Sequence, residues 1–165
     1  MRKVSDADKL FYFERTFFTL DGLWFLETEK EIGWEKTLGI DVEVWKKLLR
    51  IIIRRVKKYL KIETNTLKDL IDILTFRWSI EGWEYNILKK KYNEVLIEIH
   101  KCPYIAMMER NPERRDKMAL ICKKMCTPFY KASTEDFNQK IKLEKNKFMG
   151  LDDNTCDFHF KMKER

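Results

Sequence analysis

The stretch WEYNILKKKYNEVLIEIHKC, Trp83 to Cys102, decides how this chain folds. Trp83, Tyr85 and Ile87 alternate with polar residues. A polar turn occupies Lys91 to Glu94. Val95, Ile97 and Ile99 then alternate with Leu96, Glu98 and His100. Strand side chains repeat every two residues, so the pattern predicts a β-hairpin with one apolar face.

Upstream of this hairpin the period is helical. Ser5 and Asp8 form an S-x-x-D capping signal, which predicts a helix from there to about Ile32, stopped near Gly33. Leu10, Phe13, Phe17, Leu20 and Trp24 share one of its faces, and Phe11, Phe18 and Phe25 a neighbouring one. So wide an apolar girth predicts a mostly buried helix with Phe17 and Trp24 in the core. Asp41 reads as the N-cap of a second helix whose stripe is Trp45, Leu48, Leu49, Ile52, Val56 and Leu60. Its other face carries Lys46, Lys47, Arg50, Arg54, Arg55, Lys57, Lys58 and Lys61. Asn65 or Thr66 caps a third helix along Leu67, Leu70, Ile71 and Leu74.

Downstream, Asn111 and Pro112 open a helix predicted to reach about Cys126 and stop before Pro128. Two strands follow, about 137–144 and 155–162, joined by a Gly/Asp/Asn-rich loop. The expected fold is α+β, with N-terminal helices followed by a ββαββ antiparallel sheet unit. It is read as a single domain over 1–165, helical over about 5–80 and ββαββ over about 83–163.

Composition sets the outer limits. Charged residues make up 37% of the 165-residue chain and apolar residues 44%, a globular balance. The net charge of +7 permits an acidic partner. However, the basic helix face comes without stacking aromatics or helix-turn-helix spacing, so nucleic acid is not the expected partner. The N-terminus lacks an apolar signal-peptide core, and no apolar run is long enough to span a bilayer. The expected setting is the cytoplasm, where thiols stay reduced. P-loop, G-x-G-x-x-G, H-E-x-x-H and G-x-S-x-G motifs are absent.

Chemistry therefore centres on four cysteines. Cys122 and Cys126, four apart on a predicted helix, can chelate one ion as thiolates. Cys102 ends the second strand and Cys156 begins the last one. A helix lying across the sheet would bring all four together, around zinc or an iron–sulfur cluster. The alternatives are packed core thiols and a reversible Cys122/Cys126 redox pair. Trp24, Glu27 and Glu31 share a helix face and form a second candidate, for ligand binding or acid–base work. The plainer reading of that face is a solvated helix end. His100 and His159 lie on the polar strand faces with Glu98 and Asp157, a pattern more often surface than site.

The segment TLDGLWFLETEKEIGWEKTLGIDVEVW, Thr19 to Trp45, and the tail from CPYIAMMERN to CDFHF resemble a family of uncharacterised cytosolic proteins from anaerobic archaea and bacteria. The C-terminal part also resembles the L-2-amino-thiazoline-4-carboxylate hydrolase family and, more distantly, 4-vinyl-reductase-like small-molecule-binding domains. The resemblance implies an α+β fold with an enclosed pocket, and ring-opening hydrolysis of a cyclic sulfur compound with Cys156 as the only transferable residue. The leading expectation is a cytosolic small-ligand-binding or sensing protein with a cysteine-held metal. A hydrolase of a small cyclic amide or thiazoline comes second, and a thiol redox sensor third. The partner is a small molecule, with a homo-oligomer allowed.

Overall fold

The computed structural model describes residues 3–163. The chain divides into two compact units, Met1–Asp41 and Val42–Arg165. The expected α+β class is observed: helices precede a four-stranded antiparallel sheet.

The first unit holds α1 (Asp6–Ile32) and the opening turns of α2 (Trp34–Tyr59). Ser5 and Asp8 form the full reciprocal capping box, satisfying two backbone donors that would otherwise lack partners. Gly33 adopts φ 79, a conformation glycine reaches without steric cost, and its N–H closes α1 onto the Glu29 carbonyl at 2.9 Å. The chain reverses there, bringing the Phe25 and Trp34 rings 5.4 Å apart.

Two expectations are corrected in this unit. Asp41 is not an N-cap. α2 starts immediately after Gly33 and continues through Gly39 and Asp41. The modest propensity cost of those residues is outweighed by the burial of Leu38, Trp45, Leu49 and Ile53 along the same helix. Nor is α1 mostly buried, since among the described residues Phe18 is its one buried residue. Phe17 and Trp24, expected in the core, are exposed, as are Leu10, Phe13 and Leu20.

The reversal carries a pH signature. Burial, reinforced by the nearby Asp21 carboxylate, pushes the Asp41 carboxyl from 3.8 up to about 7. The folded chain thus holds a proton that the unfolded chain releases near pH 4, so this site loses stability as pH rises from about 4 to 7. Asp41→Asn removes the penalty. Thermal melts should show the variant more stable than wild type at pH 8, by about 1–3 kcal/mol, and nearly equal at pH 4.

The second unit begins with the remainder of α2. Lys61 at φ 56 turns the chain toward α3 (Leu67–Ile80), which Thr66 caps through a second capping box with Asp69. β1 (Glu84–Lys91) and β2 (Glu94–Lys101) form the expected hairpin. A helical crossover follows, and then β3 (Ile141–Glu144) and β4 (Cys156–Met162). The sheet order is β1-β2-β4-β3, with β4 inserted between the hairpin and β3.

Register explains the core. Val95, Ile97 and Ile99 stand opposite Phe160, Phe158 and Cys156, and Leu143 opposite Phe160. All are buried, forming one continuous apolar face. The opposite face is ionic. His159 Nε2 lies 2.8 Å from Glu94 Oε1, and Lys161 Nζ lies 2.7 Å from Glu144 Oε2. His100 contacts Asn86 at 3.0 Å.

The crossover departs most from expectation. It comprises α4 (Pro103–Glu109), α5 (Pro112–Arg115), α6 (Met118–Ile121), a π-helical turn at Cys122–Cys126, and α7 (Thr127–Phe137). Pro128 does not stop the helix. It lacks an N–H, and its ring would clash with the Lys124 carbonyl in a regular α-helix. The turn before it widens to i→i+5 bonding, with the Thr127 N–H on the Cys122 carbonyl, and the helix resumes. As a result, 127–137 is helix, and the strand expected from about 137 is confined to Ile141–Glu144.

Candidate functional site

The π turn, the start of α4 and the start of β4 surround a cavity of about 60 Å³ inside the second unit. Trp45 from α2, Trp83, Tyr104 and Ile105 from α4, and Phe129 and Tyr130 from α7 form much of its aromatic and aliphatic wall. Ile121 and the flexible Met108 and Met125 add apolar side chains, and Phe148 and Phe158 complete the wall. All four cysteines, Cys102, Cys122, Cys126 and Cys156, also line it.

Local structure accounts for each thiol. Cys102 is the N-cap residue of α4, one position past β2, so strand alternation no longer dictates its direction. Cys122 and Cys126 begin and end the π turn. Cys156 opens β4 in phase with Phe158, and its Sγ accepts the Met149 N–H at 3.1 Å. Met149 belongs to a 3₁₀ turn (Met149–Leu151) that packs tightly on the π turn: a Cβ at Gly150 would lie 2.6 Å from Cys122 Sγ.

Lys145 is the one charged residue in this wall among the described residues. Its Nζ sits 3.4 Å from the Phe158 ring centroid and 5.4 Å from that of Phe148, and donates to the Asp157 carbonyl at 2.9 Å. Asp157 is buried and positions the loop. Its carboxylate accepts the Asn146 and Lys147 N–H groups at 2.7 and 2.8 Å. Sequence reading placed Asp157 on the polar face and missed both its role and Lys145. The signal was the paired basic and amide residues of KNK at 145–147, opposite an inward-bonded acid.

The four thiols are held neutral. Burial pushes Cys122 up to about 12, and burial likewise raises Cys102, Cys126 and Cys156. For Cys126 and Cys156, Lys145 partly offsets that effect. Zinc and iron–sulfur sites need thiolates. Here a four-thiolate site would sit in an apolar cavity with a single cation in its wall. Among the described residues, no group of three or more His, Cys, Asp or Glu side chains is arranged to hold a metal ion. The four cysteines share one cavity without forming such a group. The same raised thiols work against a fast Cys122/Cys126 redox pair.

The other candidates lie elsewhere. Trp24, Glu27 and Glu31 are on the exposed face of α1 and contribute nothing to the cavity wall. Glu27 pairs with Lys30 at 2.6 Å, one helical turn away and open to solvent. This is a surface ion pair, not a pocket carboxylate. None of the helices among the described residues is long and apolar enough to cross a membrane.

Two solved structures share the fold. A trafficking protein particle complex subunit 3 from Naegleria fowleri, covalently bound to palmitic acid, matches at TM-score 0.62 and 14% identity, over 92% of this chain and 95% of that one. The phenol-responsive sensory domain of the transcription activator PoxR, with phenol, matches at TM-score 0.55 and 13% identity, over 88% and 73%. No protein of curated function matches the sequence. The sequence does match the L-2-amino-thiazoline-4-carboxylic acid hydrolase family over residues 12–160, which spans the helices, the sheet and the cavity wall, and the chain belongs to that family.

Proposed function

We propose that the cavity binds a small, largely apolar molecule bearing one anionic group, with Lys145 as that group's partner. The observation that carries this reading is the wall itself: aromatic, aliphatic and sulfur side chains with a single cation. Solved structures of the same fold hold apolar ligands, covalently bound palmitic acid in one and phenol in the other. Binding rearranges the site. The cavity of about 60 Å³ is far below the roughly 300–1,000 Å³ of ligand pockets, so entry displaces Met108 and Met125, whose side chains repack readily. Ligand occupancy coupled to movement of the π turn gives the protein a sensing role.

Trp45 and Trp83 report on the site directly. Titration with medium-chain fatty acids and with aromatic carboxylates should change their fluorescence and raise the melting temperature. Lys145→Met should weaken carboxylate binding about tenfold or more while sparing the matching alcohol, since a charge-assisted contact contributes roughly 1.5–3 kcal/mol. Neither ligand class altering fluorescence or melting would end the proposal.

Family membership supports a second reading, ring-opening hydrolysis of a small cyclic sulfur compound. Cys156 is the best placed nucleophile, because the Met149 N–H and Lys145 both favour its thiolate. Among the described residues the wall supplies no carboxylate or imidazole to activate water, which is why binding is preferred. Turnover of L-2-amino-thiazoline-4-carboxylate, lost in Cys156→Ala, would reverse that preference.

A further inference from the structure

The outward face of α1 is an interaction surface, and we infer that its partner is a second copy of this chain, docked antiparallel. Leu10, Phe13, Phe17, Leu20 and Trp24 are spaced 3-4-3-4, the seam of a helix pair. Leu10 is 51% exposed, Phe13 67%, Leu20 63% and Trp24 68%. A single exposed aromatic is ordinary, but a contiguous stripe four turns long is not.

The area fits a self-association interface. With about 150–250 Å² for a whole aromatic side chain, the stripe exposes on the order of 600 Å² per copy. Two copies would together bury roughly 1,200 Å², the lower bound for a specific interface. The matching spacing makes the face self-complementary, as a two-fold contact requires.

Charge selects the direction. The stripe continues in the same 3-4 phase into Asp6 at one end and Glu27 and Glu31 at the other. A parallel pair would stack Glu27 and Glu31 on their own copies, apposing like charges along the seam. An antiparallel pair separates them. The register that lays Leu10 on the partner copy's Leu20 and Phe13 on its Phe17 also sets Glu27 just beyond the N-terminal end of the partner copy's α1, where the helix dipole favours an acid. The Trp24 indole then covers the helix end around Asp6.

Sedimentation equilibrium on the full chain tests this. The wild type should sediment at twice its 20.2 kDa mass at micromolar concentration. Leu20→Glu with Trp24→Glu should weaken association at least about tenfold while leaving the circular dichroism spectrum unchanged, because both positions are exposed. A wild type that stays monomeric up to about 100 µM, or a dimer untouched by the double variant, overturns the inference. Orientation is read by crosslinking with wild type as the background. Leu10→Cys mixed with Leu20→Cys should form a disulfide-linked pair. Leu10→Cys linking efficiently to itself instead would refute the antiparallel arrangement.

Discussion

Arg77→Ala is expected to destabilise the protein by about 3–5 kcal/mol, because it leaves the largely buried Glu81 carboxylate without its cationic partner. Arg77 is 4% exposed, and its Nε donates to Glu81 Oε1 at 2.7 Å on the next turn of the chain. The guanidinium lies 5.7 Å from the Trp45 ring and 6.0 Å from that of Tyr130, so aromatic faces supply the rest of its environment. Its Nη2 also donates to the Tyr104 hydroxyl at 3.4 Å, which reaches the cavity wall. Arg77→Met combined with Glu81→Gln removes both charges and keeps most of the volume. That pair should recover most of the loss, since burying two charges is itself costly. Urea unfolding of the three proteins decides the matter. Equal losses in the single and double variants would show that Arg77 acts by packing and not by charge.

Trp78→Ala should cost a similar amount, about 3–5 kcal/mol, and should also disturb the cavity. Trp78 is fully buried. Its ring lies 5.7 Å from Trp83 and 4.9 Å from Phe158, both in the cavity wall. Its Nε1 donates to the Tyr130 hydroxyl at 2.7 Å. Deleting it leaves a void under the wall and strips the buried Tyr130 hydroxyl of a donor. Trp78→Phe keeps much of the ring packing but loses the hydrogen bond, and should cost about 1–3 kcal/mol. If Trp78→Ala unfolded in urea at the wild-type midpoint, α3 could not be the support of this site.

Local signals determined a large share of this fold in advance. Capping boxes at Ser5 and Thr66, the Gly33 reversal and the period-2 alternation of the hairpin and β4 act within a few residues, so reading them needs no knowledge of the rest of the chain. Pro128 shows where local reading stops. Its missing N–H is a local fact, but a π turn can resolve the conflict as well as a helix end can, and packing of Phe129, Tyr130 and Phe137 against the sheet decides for continuation. Asp41 shows the same: its N-cap preference yields to the burial of Leu38 and Trp45 on either side.

The site divides along the same line. Nothing short of the tertiary structure could tell that all four cysteines line one cavity, that burial keeps them neutral, or that Lys145 is the cation beside them. Desolvation depends on everything that surrounds a group, and Asp157 holds the loop through partners at 146 and 147. The α1 stripe is the converse case. Its apolar 3-4 spacing was plain in the sequence, yet periodicity records only which residues share a face. Whether that face turns inward or outward is decided by what the rest of the chain packs against, and here it leaves Phe13, Leu20 and Trp24 in solvent.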